Sequence, residues 1–561
     1  MSDRTPSVLI IGAGLAGLTA AATLAWRGLR PLLVERHAST SQHPRARSVN
    51  FRSMELLRLM GLEDELVAAG GNSMQDFKIV IAESVTGREI KTILPRGAWD
   101  TAPFSPARAS GAGQDRIEPI LRRYAEEHGA QIRVSTELVS LSEDEDGVEA
   151  LIRDRLSGAE ERIRADYVVA ADGNRSLVRN LLGIGLNGQG TLSHNMAVVF
   201  SADDLPLSQQ GMVLYYLQNP GFTGVYISPD LDGRALVSVE YDPARESRED
   251  FTKARCVALI RAALGADQVE PRIIEVIAWE MASQVANRFG TRRVFLAGDA
   301  AHTMPPTGGL GGQTAIQDGF DIAWKLAMVL KGEAGSDLLA TYAQERQPVG
   351  ERTVALQTAT YAARMRPDRK DLGGENAEAD YFGVAFGYRY RSAAILQDGP
   401  DDCASSENPM QPSGRPGTRA AHLVLETDGK TDGKLVSTLD LIQSGFALLV
   451  GPQAQGFEKA GRELAMELPV SVYRIGTDLI ECEASFAANF GVGPQGAVLL
   501  RPDGFIAWRS VGAVEDATDV LTQALARVLC RPIDRQLLNG VGFDRVGLDR
   551  PHLGELQRGA A

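Results

Sequence analysis

The chain has 561 residues, 44% of them hydrophobic, with 58 basic against 72 acidic side chains and a net charge of −14. That length exceeds what one hydrophobic core serves, so roughly two to four domains are expected, and the acidic balance argues against a nucleic-acid or anionic-membrane surface. No apolar run approaches the roughly 18 residues that span a bilayer, and no basic-then-apolar leader opens the sequence, which together predict a cytoplasmic protein.

Val8-Leu-Ile-Ile11 reads as a buried parallel strand, since four apolar residues in a row leave no polar face. Gly12, Gly14 and Gly17 follow at the spacing that allows a tight turn, close approach to a pyrophosphate and close helix packing. The apolar helix that comes next turns unpaired N–H groups and its positive dipole end toward an anion. Pro31-Leu-Leu-Val34 is a second strand, and Glu35 at its end can accept from a ribose hydroxyl, with Arg36 beside it. Strand, helix, strand and acid in register predict a dinucleotide site.

A basic stretch, Pro44-Arg45-Ala46-Arg47-Ser48, leads back toward the nucleotide, and a helical pattern covers 53–66. Arg47 is expected as a solvated charge, with a second cofactor contact as the alternative. Segment 77–94 alternates as strands do, 117–128 is an amphipathic helix, and strands are expected near 131–141, 147–153 and 162–170. The last of these runs straight into Asp172-Gly173-Asn174-Arg175-Ser176. Strand-like runs at 196–200, 212–217 and 235–240 predict an inserted sheet, after which a second α/β signal returns at 293–299 and a helix at 315–330. Gly183-Ile-Gly185-Leu-Asn-Gly188 repeats the glycine spacing, but it follows a helix and no apolar helix comes after it, so it is expected to be a loop. Residues 398–419 are rich in Pro, Gly, Ser and Asp, as a boundary or an ordered connection would be. Beyond them, strands at 446–450 and 470–475 and a hairpin at 497–509 alternate with helices at 457–468, 484–490 and 520–529. Cys256, Cys403, Cys482 and Cys530 form no CxxC pair, so neither a metal site nor disulfide exchange is expected.

Gly12-x-Gly14-x-x-Gly17, Asp172-Gly173 and Gly298-Asp299, in that order, resemble the FAD-dependent aromatic hydroxylases, the single-component flavoprotein monooxygenases. The resemblance covers about residues 7–395. Gly387-Tyr-Arg389-Tyr-Arg-Ser392, Glu407-Asn-Pro and Arg501-Pro-Asp-Gly504-Phe-Ile-Ala-Trp508-Arg509 extend it to the phenol hydroxylase and aromatic-polyketide (aklavinone-type) subgroup. It implies an α/β fold in which a discontinuous Rossmann-like FAD-binding domain (1–183 and 281–397) carries an inserted mixed β-sheet substrate domain (184–280). A linker (398–419), a thioredoxin-like domain lacking CxxC (420–535) and a tail (536–561) complete it. By the same resemblance Asp299 holds the ribityl chain, and the loop 305–313, with Pro306, Gly312 and Gln313, faces the flavin N1–C2=O edge. Gln313 stands where the family often has Asn. Asp172 is expected at both FAD and the nicotinamide, Arg175 and Arg179 at phosphates unless either is a surface ion pair, Arg45 and Gln114 on the phosphate or ribityl, and His302 packed beneath the flavin loop.

The implied reaction has NADH or NADPH reduce FAD as a transient co-substrate, O2 add at flavin C4a, and the resulting hydroperoxide hydroxylate a phenolic or polycyclic aromatic. Substrate-side candidates are Tyr216, Tyr226 and Arg389, because phenol and guanidinium groups can ease ionisation of a substrate phenol; Tyr216 and Tyr226 lie in strand-like runs, where a tyrosine is more often core than ligand. A homodimer is left open. Baeyer–Villiger oxygenation of a polyketide ketone on the same fold, and a non-catalytic FAD-binding protein, are the alternatives. Disulfide reductases are excluded by the missing cysteine pair, tryptophan halogenases by the missing Trp-x-Trp, and type I Baeyer–Villiger enzymes by the missing FxGxxxHxxxW.

Overall fold

Val8–Ile11 pairs in parallel with a strand on either side, which is why all four of its residues are buried. It sits at the centre of a five-stranded sheet with order Val294–Leu296, Tyr167–Ala170, Val8–Ile11, Leu32–Val34 and Gln131–Arg133, every pairing parallel. The computed structural model describes residues 6–43, 47–71, 77–98, 102–206, 212–373, 381–400, 403–427, 433–443 and 445–533. The helix Leu15–Trp26 is buried from Leu15 to Ala25 because it is packed all round, and it therefore shows no polar stripe. The chain divides into one unit of Met1–Glu55, Glu65–Ala327 and Tyr342–Tyr388 and another of Leu56–Asp64, Met328–Thr341 and Arg389–Ala561.

The first unit also holds an eight-stranded sheet, ordered His302–Thr303, Arg272–Ala286, Leu186–Ser201, Ala235–Tyr241, Phe222–Ile227, Val213–Asn219, Lys78–Ala82 and Glu89–Leu94. This corrects the expected insert of 184–280. Its outer strands come from 78–94 and 302–303, and Arg272–Ala286 runs through the boundary placed at 280. The junction is a parallel pairing, Val213↔Lys78 to Leu217↔Ala82, inside an otherwise antiparallel sheet. Such a pairing joins segments far apart in sequence and leaves no turn signal to read.

The helix Lys253–Leu264 covers one face of this sheet, and Val80, Met196, Val198, Phe200, Tyr215, Tyr226, Cys256 and Ile260 fill the core between them. Tyr226 is cross-strand partner to Tyr215, so Tyr216, one residue along, faces the other way. Tyr226, one of the substrate-side candidates, is a core residue here, 1% exposed, and burial raises its phenol well above the usual range. Elsewhere the helix expected over 53–66 is two helices, Phe51–Arg58 and Glu63–Gly70, parted at Gly61, whose φ is +76°. The 26-residue helix Ala340–Met365 was not anticipated, being buried along much of both sides and so lacking an apolar stripe.

The second unit carries a four-stranded sheet, Val470–Arg474, Phe446–Val450, Ala497–Leu500 and Ile506–Ser510, with the first pair parallel and the others antiparallel. Helices Gln455–Leu464 and Ala517–Val528 accompany it. The segment 398–419 is an ordered connection where described. Gly417 donates to Ile506 C=O and accepts from Tyr390 N–H, both at 2.8 Å, and Thr418 and Arg419 are buried. The expected tail, 536–561, lies outside the described residues. Among the described residues no cysteine is paired in a disulfide, and no helix is long and apolar enough to cross a membrane.

The Tyr226 hydroxyl has no hydrogen-bond partner among the described residues. Deleting it removes a desolvation penalty and keeps the ring, so Tyr226→Phe is expected to match or exceed the parent stability by up to about 1 kcal/mol, with turnover intact. A thermal melt and an activity assay check this, and lost turnover would return Tyr226 to the substrate site.

Candidate cofactor and substrate site

Gly12 adopts φ +103°, which only glycine takes readily, and its N–H donates to Val34 C=O at 2.8 Å. A β-carbon at Gly17 would collide with the Gly12 carbonyl oxygen, whereas at Gly14 it would meet nothing nearer than Glu118 Oε1 at 4.0 Å. The loop is thus closed against its own helix and open at Gly14, toward the helix N-terminus. Glu35 lies at the mouth: Oε2 accepts from Ala13 N–H at 2.7 Å and Oε1 from His37 N–H at 2.8 Å. Arg36 is exposed, and Arg45 lies outside the described residues.

Gln114 opens the helix Gln114–Glu127 and donates to Glu118, which is 1% exposed and also takes the Ser41 N–H at 2.7 Å. Glu118 went unnoticed in the sequence because a glutamate on an amphipathic helix looks like surface. Arg47, expected as a solvated charge, is buried and donates to the carbonyls of Ser228 at 3.0 Å and Arg234 at 3.2 Å.

Asp172 caps the helix Leu177–Leu181, accepting from Ser176 Oγ and from Val178 N–H at 3.1 Å. Arg175 is exposed. Arg179, expected at a phosphate, is buried, and its guanidinium is taken by the carbonyls of Ala300 at 3.0 Å and Asn174 at 2.9 Å. It therefore ties the Asp172-Gly173 segment to the Gly298-Asp299 turn.

Asp299 is exposed on that turn. Pro306 is exposed at the first position of the turn Pro306–Gly308, and Gly309 takes φ +70° with open space around it. The helix Gly311–Leu330 follows, and its first bond is Thr314 N–H to Leu310 C=O at 2.8 Å, so the N–H groups of Gly311, Gly312 and Gln313 precede the helical ladder. The Gln313 side chain points away from them: Oε1 accepts from Asn50 N–H at 2.9 Å and Nε2 donates to Ser48 C=O at 2.7 Å. Its extra length over Asn is used to pin the segment 48–50.

Residues the sequence did not flag hold the loop from behind. Gln357 accepts Gly308 N–H at Oε1 and Thr307 Oγ1 at its carbonyl, and Tyr381 OH donates to Gly308 C=O at 3.0 Å. Thr307 C=O accepts from Tyr216 OH at 3.1 Å and from Arg364 Nη1, which is 3.4 Å from the Tyr216 oxygen. Tyr216 shares its sheet row with Val225, Ser238 and Ala197, so this is the sheet face turned to the loop. Phe51, Phe104, Leu310, Phe386 and Tyr381 make an apolar cluster at the other end of the loop. Arg389 falls in the second unit, where its N–H donates to Ser405 C=O at 3.0 Å.

An open glycine turn, an acid at its mouth, a second helix start without ladder partners and an exposed Asp299 fit a dinucleotide-linked flavin. Comparison with known proteins agrees. Residues 5–357 match the FAD binding domain family, and residues 413–532 match the aromatic-ring hydroxylase C-terminal family. The chain is 44% identical over 544 residues to an aklavinone 12-hydroxylase of Streptomyces purpurascens, spanning 95% of this chain and 100% of that one. It is 39% identical over 544 residues to a 4-methyl-5-nitrocatechol 5-monooxygenase of a Burkholderia species, spanning 94% and 98%. A crystal structure of aklavinone-11 hydroxylase with FAD and aklavinone superposes with a TM-score of 0.87 at 42% identity, over 95% of this chain and 100% of that one.

Gly17→Ala places a methyl group against the Gly12 carbonyl. It is expected to weaken FAD by at least about tenfold, near 1.4 kcal/mol, in a fluorescence titration of apoprotein. Unchanged affinity would remove this loop from the cofactor site.

Proposed function

This chain belongs to the FAD-dependent aromatic-ring hydroxylases, and from that premise we propose that it hydroxylates a phenolic polycyclic aromatic of polyketide origin, with NADH or NADPH as reductant. One oxygen atom of O2 enters the ring and the other leaves as water, at the cost of one reduced nicotinamide. FAD, when bound, supplies the electron transfer and oxygen activation.

In this reading the protein's own residues bind, orient and exclude water. The Gly12–Gly17 turn receives the pyrophosphate at a helix N-terminus, Glu35 the adenosine ribose and Asp299 the ribityl chain. The N–H groups of Gly311, Gly312 and Gln313 favour negative charge on the flavin's pyrimidine edge. The aromatic cluster around Leu310 keeps water from the loop. A phenol ring becomes more reactive toward electrophilic oxygen as its proton is shared or lost, so a group that can accept from the substrate hydroxyl is needed beside the loop. Tyr216 is that group, its oxygen set by Arg364 and by the Thr307 carbonyl.

The observation that carries the proposal is this buried junction of Tyr216, Arg364 and Thr307, which joins the substrate sheet to the flavin loop. The resemblance to aklavinone hydroxylases supports a multi-ring substrate. Planar anthraquinones are expected to stimulate NAD(P)H oxidation more than simple phenols do, with NMR showing an intact ring bearing one new hydroxyl; a lactone product would overturn the reading. Tyr216→Phe and Arg364→Met are expected to lower product formed per NAD(P)H consumed by on the order of 10²-fold, the usual scale for a positioned proton-transfer group, with FAD affinity retained. Full coupling in both variants would remove Tyr216 from the reaction.

A further inference from the structure

Asp318 lies on the helix Gly311–Leu330, about two turns past its N-terminus, and is 0% exposed. Its carboxylate gathers donors from three other segments. Arg346 Nε, on the helix Ala340–Met365, reaches Oδ1 at 2.8 Å, while His302 Nε2 at 2.7 Å and Gly298 N–H at 3.1 Å share Oδ2. Arg346 and His302 are themselves 0% and 1% exposed. Burial alone would raise the Asp318 carboxyl, but the Arg346 guanidinium and the His302 ring outweigh it and hold it below the usual carboxylate range. An ion pair in this setting is costly to assemble and tends to fix one geometry, because losing any donor leaves a buried charge under-solvated.

The geometry it fixes is that of the cofactor cradle. Gly298 has φ +61°, and a β-carbon there would meet Ala16 Cβ at 3.0 Å and Ala315 Cβ at 3.2 Å, so the turn has no side chain of its own to anchor it. Its N–H bond to Asp318 anchors it instead, one residue before Asp299. The same carboxylate is carried by the helix whose N-terminus supplies Gly311, Gly312 and Gln313.

We infer that Asp318 is a positioning residue of the flavin site, registering the Gly298-Asp299 turn against the start of its own helix so that ribityl and pyrimidine ends of the flavin meet one rigid frame. His302 serves the same frame by bracing the carboxylate oxygen that takes the Gly298 N–H. The inference rests on FAD occupying this site and is independent of the aromatic substrate.

Three variants test it: His302→Leu, which removes one donor and leaves the Arg346 pair, His302→Gln, which restores an amide donor, and Asp318→Asn. For each, apoprotein is titrated with FAD, and the visible spectrum and midpoint potential of the bound flavin are recorded beside a thermal melt. His302→Leu is expected to weaken FAD about tenfold and to shift spectrum and potential, with His302→Gln within about twofold of the parent. Asp318→Asn is expected to change the same readouts at least as much as His302→Leu. Parent-like affinity, spectrum and potential in the folded variants, whatever the melting temperature, would show that the cluster only supports the fold. If Asp318→Asn does not fold, the two His302 variants decide. Failure of the parent apoprotein to bind FAD would overturn the cofactor assignment itself.

Discussion

Backbone contact at glycines is the constraint from which the cofactor region follows. The Gly12 carbonyl fills the space of a Gly17 β-carbon, and the Ala16 carbonyl fills that of Gly319. The helix Leu15–Trp26 is thus pressed against its own turn at one point and against the helix Gly311–Leu330 at another. Gly298 meets the first turns of both helices, at Ala16 and Ala315. Two helix starts, each with unpaired N–H groups and a positive dipole end, are thereby drawn to one turn. A chain with net charge −14 can hold a strongly anionic cofactor because the attraction is local, made of oriented peptides.

Buried charges then lock the second helix in place. Lys325, 0% exposed, lies 2.7 Å from both Asp321 and Glu345, and Arg346 meets Asp318, so two ionic contacts bind the helix Gly311–Leu330 to the helix Ala340–Met365. The latter also supplies Gln357 and Arg364 to the loop. Apolar packing of the same helices would tolerate sliding by a turn, whereas paired charges do not. This is a use of buried ions for register rather than for net stability.

What the sequence made legible was local. Gly12, Gly14, Gly17 and Glu35 lie within one βαβ unit, and their spacing is a direct record of a turn. The strand at 446–450 and the hairpin at 497–509 were equally readable, each bounded by turn residues. The site's supporting residues were not. Asp318, Gln357 and Arg364 sit on helices, where a polar residue is taken for surface, and their burial depends on what packs over them. Tyr216 and Tyr226 looked alike in two strand-like runs, and only the pairing of Tyr215 with Tyr226 separates the face that meets the loop 305–313 from the one under the helix Lys253–Leu264. Arg179 and Arg47 had the charge of phosphate ligands, but both turn their terminal guanidinium nitrogens to backbone carbonyls.

The parallel join of Lys78–Ala82 to Val213–Asn219 bears on how such enzymes can be recombined. The segment 184–280 looks like a cassette in sequence, yet its sheet continues into strands encoded before the second half of the nucleotide-binding fold. A chimera that exchanged the cassette alone would graft a foreign edge onto resident strands, with mismatched register and exposed main-chain hydrogen bonds. In this protein the sheet is written in two separated stretches that must change together, and crossover points chosen from contiguity in the gene would cut through it.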